Sequence, residues 1–326
     1  MVERVLAVIP SLNEEKFIEG PLRMLLAASR TLPMRIVIAD GGSTDRTQEI
    51  VQDFAKQNPN LVFISYPKKR QGPATNETVK AYGDGIEYLI RIDAHANYPE
   101  DYCQRLVEEA DSMKAASVVV AMHTMGITPF QKAVAAAQNS RLGNGGSAHR
   151  LVGQEGMWID HGHHALMRID AFRAVGGYDE TFLLNEDAEL DTRLGKAGYK
   201  IWLTGKTSLI YYPRGEPDKL FKQYRDYGKG RAHTIIKHRV WPKLRHLLPA
   251  AVLPAAVLGL FGPFYWLAYV PVYTWIAVCL GYGVVLAIKA GDVQIAMAGP
   301  AVLIMHSAWS IGFWSEVLRS FRERGK

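Results

Sequence analysis

From Leu247 to Ile288 the chain runs through 42 consecutive residues without one charged side chain. A helix needs only about 20 predominantly apolar residues to cross a bilayer, and uncharged runs of this length are rare outside membranes. After Lys289-Ala290-Gly291-Asp292 a second uncharged stretch extends from Val293 to Ser315. The sequence therefore divides into a domain at residues 1–240 and a membrane-anchoring part at residues 241–326. The first uncharged stretch fits two spans turning near Gly262-Pro263 or Pro271, or an interfacial segment followed by one span. Three spans would leave Arg319, Arg322, Arg324 and Lys326 outside, against the positive-inside bias. We expect an even number, with Leu247 to about Gly262 on the interface and Lys289–Asp292 as the outer turn.

Charge is concentrated just before that tail. Lys222, Arg225, Lys229, Arg231, Lys237, Arg239, Lys243 and Arg245 face a single acid, Asp226, and account for most of the formal +6. A basic face can attract nucleic acid, but one that leads directly into an apolar tail points to anionic lipid headgroups instead. Cys103 and Cys279 fall in unlike contexts and imply neither a disulfide framework nor a zinc site. The apolar run Val5–Ile9 is too short for a signal peptide, so the N-terminal part is expected to face the cytoplasm.

The N-terminal half alternates β-branched runs with helix-like segments: Val5 to Ile9, Glu14 to Arg30, Ile36 to Ala39, Thr44 to Gln57, and Val62 to Tyr66. Such alternation predicts βαβ units on a parallel sheet. Tyr88–Ile92 and Val118–Met122 are the next strands, and Gly143–Ser147 reads as a mobile loop.

Three segments carry candidate chemistry. The strand Ile36–Ala39 stops at Asp40 and passes through Gly41-Gly42 to Ser43-Thr44-Asp45. Ligand crevices of open α/β sheets lie at the carboxyl ends of strands, so Asp40 points into one, unless it only forms the turn. Ser43 and Asp45 serve equally well as helix caps. A second strand end carries Asp93-Ala94-His95, whose acid and imidazole share a face in extended geometry and can bind one divalent cation, Mg²⁺ or Mn²⁺, leaving sites for diphosphate oxygens. Third, Glu186 and Asp187 open a helix carried by Ala188, Leu190, Leu194 and Ala197. A carboxylate there can take the proton from an attacking hydroxyl, unless the acids merely complement the helix start. His161, His163 and His164 lack the spacing of a zinc site and read as core or substrate contacts. Trp158, Gly177 and Tyr178 are candidates for an acceptor pocket, because sugars stack on aromatic faces, unless the aromatics merely pack, as isolated ones usually do.

Taken jointly, Pro10-Ser11-Leu12-Asn13-Glu14-Glu15, the Asp40–Asp45 turn, Asp93-Ala94-His95, Gly176-Gly177-Tyr178-Asp179 and Asn185-Glu186-Asp187 resemble the family 2 glycosyltransferases of GT-A fold, over roughly residues 3 to 240. The resemblance implies an α/β, Rossmann-like nucleotide-diphospho-sugar transferase domain followed by C-terminal transmembrane helices. It implies inverting transfer, with Asp40 on the uracil of UDP-glucose, Pro10, Ser11 and Glu14 lining the nucleotide pocket, Asp93 and His95 on metal and diphosphate, and Asp187 as general base. Glu186 joins Trp158, Gly177 and Tyr178 on the acceptor side. With the basic stretch and apolar tail included, the chain resembles exopolysaccharide glucosyltransferases of succinoglycan type. That likeness implies β-1,3 addition of glucose to galactose on undecaprenyl diphosphate, at the cytoplasmic face of a bacterial inner membrane, beside other polysaccharide-assembly proteins.

Two departures are informative. Most of the family has Asp where His95 stands, which opens the choice between Mn²⁺ and Mg²⁺ and favours the softer ion. The processive Gln-x-x-Arg-Trp signature is absent after Gln223, where Asp226 and Tyr227 stand, so addition of a single sugar is the better reading. Arg225 or Lys229 would then meet the diphosphate. The rival readings are another donor or a polyprenyl phosphate acceptor, a non-catalytic UDP-binding scaffold, and a nucleotidyltransferase, which would need a Gly- and basic-rich N-terminal loop where Pro10–Glu15 holds acids.

Overall fold

The computed structural model describes residues 3–67, 70–147, 155–182 and 185–324; Lys326 of the tail lies outside them. The chain forms two compact units, one of residues 1–123 and 151–211, the other of residues 124–150 and 212–326.

The first unit is built on strands β1 (Val5–Ser11), β2 (Met34–Asp40), β3 (Leu61–Ser65), β4 (Tyr88–Arg91), β5 (Ser117–Thr124), β6 (Met157–Ile159), β7 (His163–Arg168) and β8 (Ile201–Tyr211). They form one sheet in the order β3-β2-β1-β4-β7-β5-β8-β6. β1 to β4 are mutually parallel, as the βαβ alternation predicts. The other half departs from that expectation: β7 runs antiparallel to both β4 and β5, and β6 antiparallel to β8. The helices of this unit are α1 (Glu19–Ala28), α2 (Thr47–Gln57), α3 (Gln71–Tyr82), α4 (Tyr102–Met113), α7 (Ile169–Ala174) and α8 (Glu186–Lys196). The period-two pattern of strands assigns each side chain to one of two cores. Val5, Ala7, Ile9, Ile36, Ile38 and Ile90 pack with Leu22 and Leu25 on one side. Leu6, Val8, Val37 and Leu89 pack with Phe172, Tyr178, Leu190 and Leu194 on the other.

Helix α1 starts at Glu19, five residues later than the sequence pattern suggests. The missing turn is spent on the β2–α2 loop: the Asn13, Glu14 and Glu15 amides donate to Ser43 Oγ, Thr47 Oγ1 and Asp45 Oδ2, while Asn13 Oδ1 accepts from the Thr44 amide. The Pro10–Glu15 and Asp40–Asp45 segments are thus one interlocked structure.

The second unit holds α5 (Pro129–Gln138), α6 (Arg141–Asn144), α9 (Pro217–His238), α10 (Leu244–Ala250), α11 (Val252–Gly259), α12 (Val270–Ala290) and α13 (Ala298–Arg324). The expected loop at Gly143–Ser147 is in part helical, because Ser140 Oγ accepts from the Gly143 amide and starts α6. Two stretches, Trp266–Ala290 and Val293–Glu323, are long and apolar enough to cross a membrane. Val134 and Ala137 of α5, Leu220 of α9, Cys279 of α12 and Ala298, Ala301, Val302 and Met305 of α13 make the core. Helices α9 and α13 meet at glycines: a β-carbon at Gly228 would run into the Trp309 carbonyl, and one at Gly312 into that of Arg225.

Candidate active site

At the carboxyl end of β2 the Asp40 carboxylate is fully buried. Its Oδ2 accepts from the Gly42 and Ser43 amides and from Gln48 Nε2, each at 2.9 Å, and its Oδ1 from Ser43 Oγ at 2.5 Å and Ser11 Oγ at 3.5 Å. Asp40 and Ser11 are therefore brought together, and Asp40 shapes the loop from within. Asp45, one of the two capping candidates, accepts from the amide and hydroxyl of Thr47 in the first turn of α2.

Glu14 and His95 also come together, with His95 Nδ1 3.1 Å from Glu14 Oε1. A carboxylate on Nδ1 favours the tautomer that carries its proton there, the usual support of an imidazole that ligates a metal through Nε2. Asp93, just beyond β4, keeps about a fifth of its side chain exposed and lies 3.6 Å from His163 Nε2. Among the described residues no group of three His, Cys, Asp or Glu side chains gathers to hold an ion alone. A carboxylate and an imidazole with this support fit a divalent ion that completes its shell with donor oxygens.

The densest polar cluster lies between β4, β7 and α8. Arg91, buried on β4, grips Asp187 with two parallel bonds, Nη1 to Oδ1 at 2.6 Å and Nη2 to Oδ2 at 3.0 Å, and donates to the Tyr178 hydroxyl at 2.9 Å. His164 Nδ1 lies 3.0 Å from that hydroxyl and 3.3 Å from Asp187 Oδ1. Its Nε2 lies 2.6 Å from Asp191 Oδ1, whose other oxygen meets His161 Nδ1 at 2.8 Å and the Gly162 amide at 3.2 Å. Burial alone would favour neutral forms here. For Asp187 burial pushes the pKa up, but Arg91 and His164 outweigh it and hold the carboxyl well below its ordinary range. For His164 burial pushes down, but Asp191, Tyr178 and Asp187 outweigh it and keep the ring cationic. Glu186 follows the opposite course: burial, and then the Asp187 charge, push it up to about 7.

The sequence placed Glu186 and Asp187 at a helix start, and α8 puts them there. It attached no role to Arg91 or Asp191, and read His164 only as a core or substrate contact; the ring is fully buried. One signal was available, since Asp187 and Asp191 are four residues apart and so share a helix face. Tyr178, expected at an acceptor pocket, is 1% exposed, so its ring offers no face for a sugar. It is a strut: Asn76 bonds both its amide and its carbonyl, leaving the hydroxyl aimed at Arg91 and His164. Gly177 makes that placement possible, with φ +67° and only 2.5 Å between an added β-carbon and Asn76 Oδ1. Gly177→Ala is expected to lower stability by about 1–3 kcal/mol, read from the thermal unfolding midpoint in detergent. Trp158 joins none of these groups; it packs edge-on against Trp202 at 4.9 Å and is 44% exposed. Arg225 and Lys229 lie on α9 in the second unit.

The Glu186 shift carries a pH signature. A carboxyl raised from 4.5 to about 7 by folding stabilises the fold fully below 4.5 and loses that contribution as pH rises to 7. At about 1.36 kcal/mol per unit, the unfolding free energy should fall across that window by up to about 3 kcal/mol more in the parent than in Glu186→Gln. Parallel slopes in the two proteins would contradict the assignment.

The family model described as "Glycosyl transferase family 2" matches residues 6–176, just over half of the chain. The chain belongs to glycosyl transferase family 2. This family 2 glycosyltransferase is 55% identical over 319 residues to the succinoglycan biosynthesis protein ExoA of Rhizobium meliloti (strain 1021), covering 98% of this chain and 96% of that one. It is 24% identical over 246 residues to a dolichyl N-acetyl-alpha-D-glucosaminyl phosphate 3-beta-D-2,3-diacetamido-2,3-dideoxy-beta-D-glucuronosyltransferase of Methanococcus voltae, covering 71% of this chain and 73% of that one. Its structure matches the mannosyltransferase PcManGT from Pyrobaculum calidifontis, solved in complex with GDP-Man and Mn²⁺, at a TM-score of 0.61 and 18% identity, over 96% of this chain and 88% of that one. The fold is GT-A, with two apolar C-terminal helices long enough to span a membrane.

Proposed function

We propose that this family 2 glycosyltransferase moves glucose from UDP-glucose, with inversion, onto galactose carried by undecaprenyl diphosphate, forming a β-1,3 linkage in the synthesis of a succinoglycan-type exopolysaccharide. The observation that carries this reading is identity of 55% over nearly the whole of the succinoglycan biosynthesis protein ExoA. Residues 1–240 are the transferase part and 241–326 the anchor, at the cytoplasmic face of a bacterial inner membrane.

In this reading Pro10, Ser11 and Glu14 line the nucleotide pocket, and Asp40 meets the uracil side through the loop it holds in place. Asp93 and His95 hold Mn²⁺ or Mg²⁺, which when bound offsets the charge on the departing nucleotide. Arg225 and Lys229 are assigned to the diphosphate, and Trp158, Gly177 and Glu186 to the acceptor side. Asp187 is the general base. Arg91 occupies one lone pair on each of its oxygens, which leaves others for an acceptor hydroxyl. A carboxylate held so firmly ionised takes the proton only as the new C–O bond forms, so attack and proton transfer are concerted.

A second acceptor class, a polyprenyl monophosphate sugar, has the support of the Methanococcus relative. Membranes carrying the protein, supplied with a panel of radiolabelled nucleotide sugars, separate the readings. Label from UDP-glucose should enter a lipid fraction from which mild acid releases it as a free saccharide. Transfer from another donor alone would overturn the glucose assignment.

A further inference from the structure

The turn Lys289–Asp292, expected on the outer side of the membrane, is followed by a 3₁₀ segment, Val293–Met297, that packs against α5. Helix α5 begins at Pro129, with four residues between it and the end of β5 at Thr124. Its first turn is held to the segment leaving β8, with Gln131 Nε2 donating to the Pro213 carbonyl at 3.0 Å. A link of that length spans at most about 18 Å, well short of the roughly 30 Å of a hydrocarbon layer.

The rest of α13 is flanked in the same way. Its first turns pack on Val134 and Ala137 of α5 and on Leu220 of α9, and His306 Nε2 lies 3.1 Å from the Leu142 carbonyl just after α5. Its second half runs beside α9 through Gly228 and Gly312, and Glu316 meets His233 at 2.9 Å. Helix α9 is separated from β8 by five residues and carries Lys222, Arg225, Lys229, Arg231 and Lys237. A helix with that charge does not lie in hydrocarbon, and neither does the α13 face against it.

The apolar surface lies elsewhere. Helices α10 and α11 lead out and α12 returns, packed together where Gly259 meets Val272. Their connection is uncharged and bare: Leu260 is 73% exposed, Phe264 89% and Trp266 69%. The base of this hairpin is cationic, with Lys237, Arg239, Lys243 and Arg245 at one end and Lys289 at the other, and Trp241 among them is 94% exposed. An apolar tip above a cationic, aromatic collar complements an anionic lipid leaflet.

We propose that the chain enters the bilayer through the hairpin of α10, α11 and α12 alone, tip Leu260–Trp266 first, from the side of the catalytic unit, and that α13 and the turn Lys289–Asp292 stay on that side. The test is cysteine accessibility in sealed vesicles of each orientation, on a Cys103→Ala, Cys279→Ala background that retains transferase activity. Asp292→Cys, Lys289→Cys and Arg322→Cys should react with a membrane-impermeant maleimide from the same side as Glu100→Cys in the catalytic unit, while Phe264→Cys resists the reagent on that side. Modification of the 289 and 292 positions only from the opposite side, or from neither side, would overturn the proposal. Recovery of the protein wholly in the soluble fraction would instead remove the membrane reading on which it rests.

Discussion

Asp187→Asn is expected to reduce sugar transfer by about 10²- to 10⁴-fold, the range that a positioned general base contributes, with UDP affinity unchanged. Asparagine keeps the shape of the side chain and still meets Arg91 through its carbonyl, but it has no basic oxygen for the acceptor proton. The base acts on the acceptor, so the loss should appear in turnover and leave donor binding intact. UDP titration of the variant by calorimetry serves also as the check that it is folded. Turnover near that of the parent would end the assignment of Asp187.

Arg91→Met should destabilise the protein by about 3–5 kcal/mol, because removing one partner of a buried ion pair leaves the other charge uncompensated. Asp187 would keep only His164 as a cationic neighbour, and the Tyr178 hydroxyl would lose one of the two groups that meet it. Replacing both members of the pair, Arg91→Met with Asp187→Leu, should recover much of the loss while the enzyme stays inactive. The coupling comes from chemical denaturation of parent, single and double variants in one detergent. Additive losses would mean that the pair does not act as a unit.

How much of this was legible beforehand differs by element. The strands β1 to β4 and the acids at their carboxyl ends follow from β-branched runs that stop at Asp40 and Asp93, because period and punctuation are local properties. The antiparallel insertion of β7 between β4 and β5 leaves no local mark; nothing in His163–Arg168 states which neighbours it will pair with. Asp187 was visible as an acid at a helix start, but its grip by Arg91 was not, since the two lie 96 residues apart. Tyr178 is a candidate for an acceptor pocket in the sequence because sugars stack on aromatic faces. Gly176 and Gly177 instead carry the backbone through positive φ so that the ring can turn inward. The uncharged stretches of the tail were unmistakable, yet length and apolarity do not tell a helix that faces lipid from one that faces α5 and α9. For α13 that difference resides in partners far away in the sequence.

The most direct test of the central claim is UDP release by purified, detergent-solubilised protein given UDP-glucose and a galactosyl lipid diphosphate, first with Mn²⁺ and then with EDTA. The account predicts release matched by glucosylated lipid with the metal, and loss of both with the chelator. UDP binding without release across acceptors and metals would contradict it and mark the protein as a non-catalytic scaffold; absence of UDP binding would exclude that reading as well.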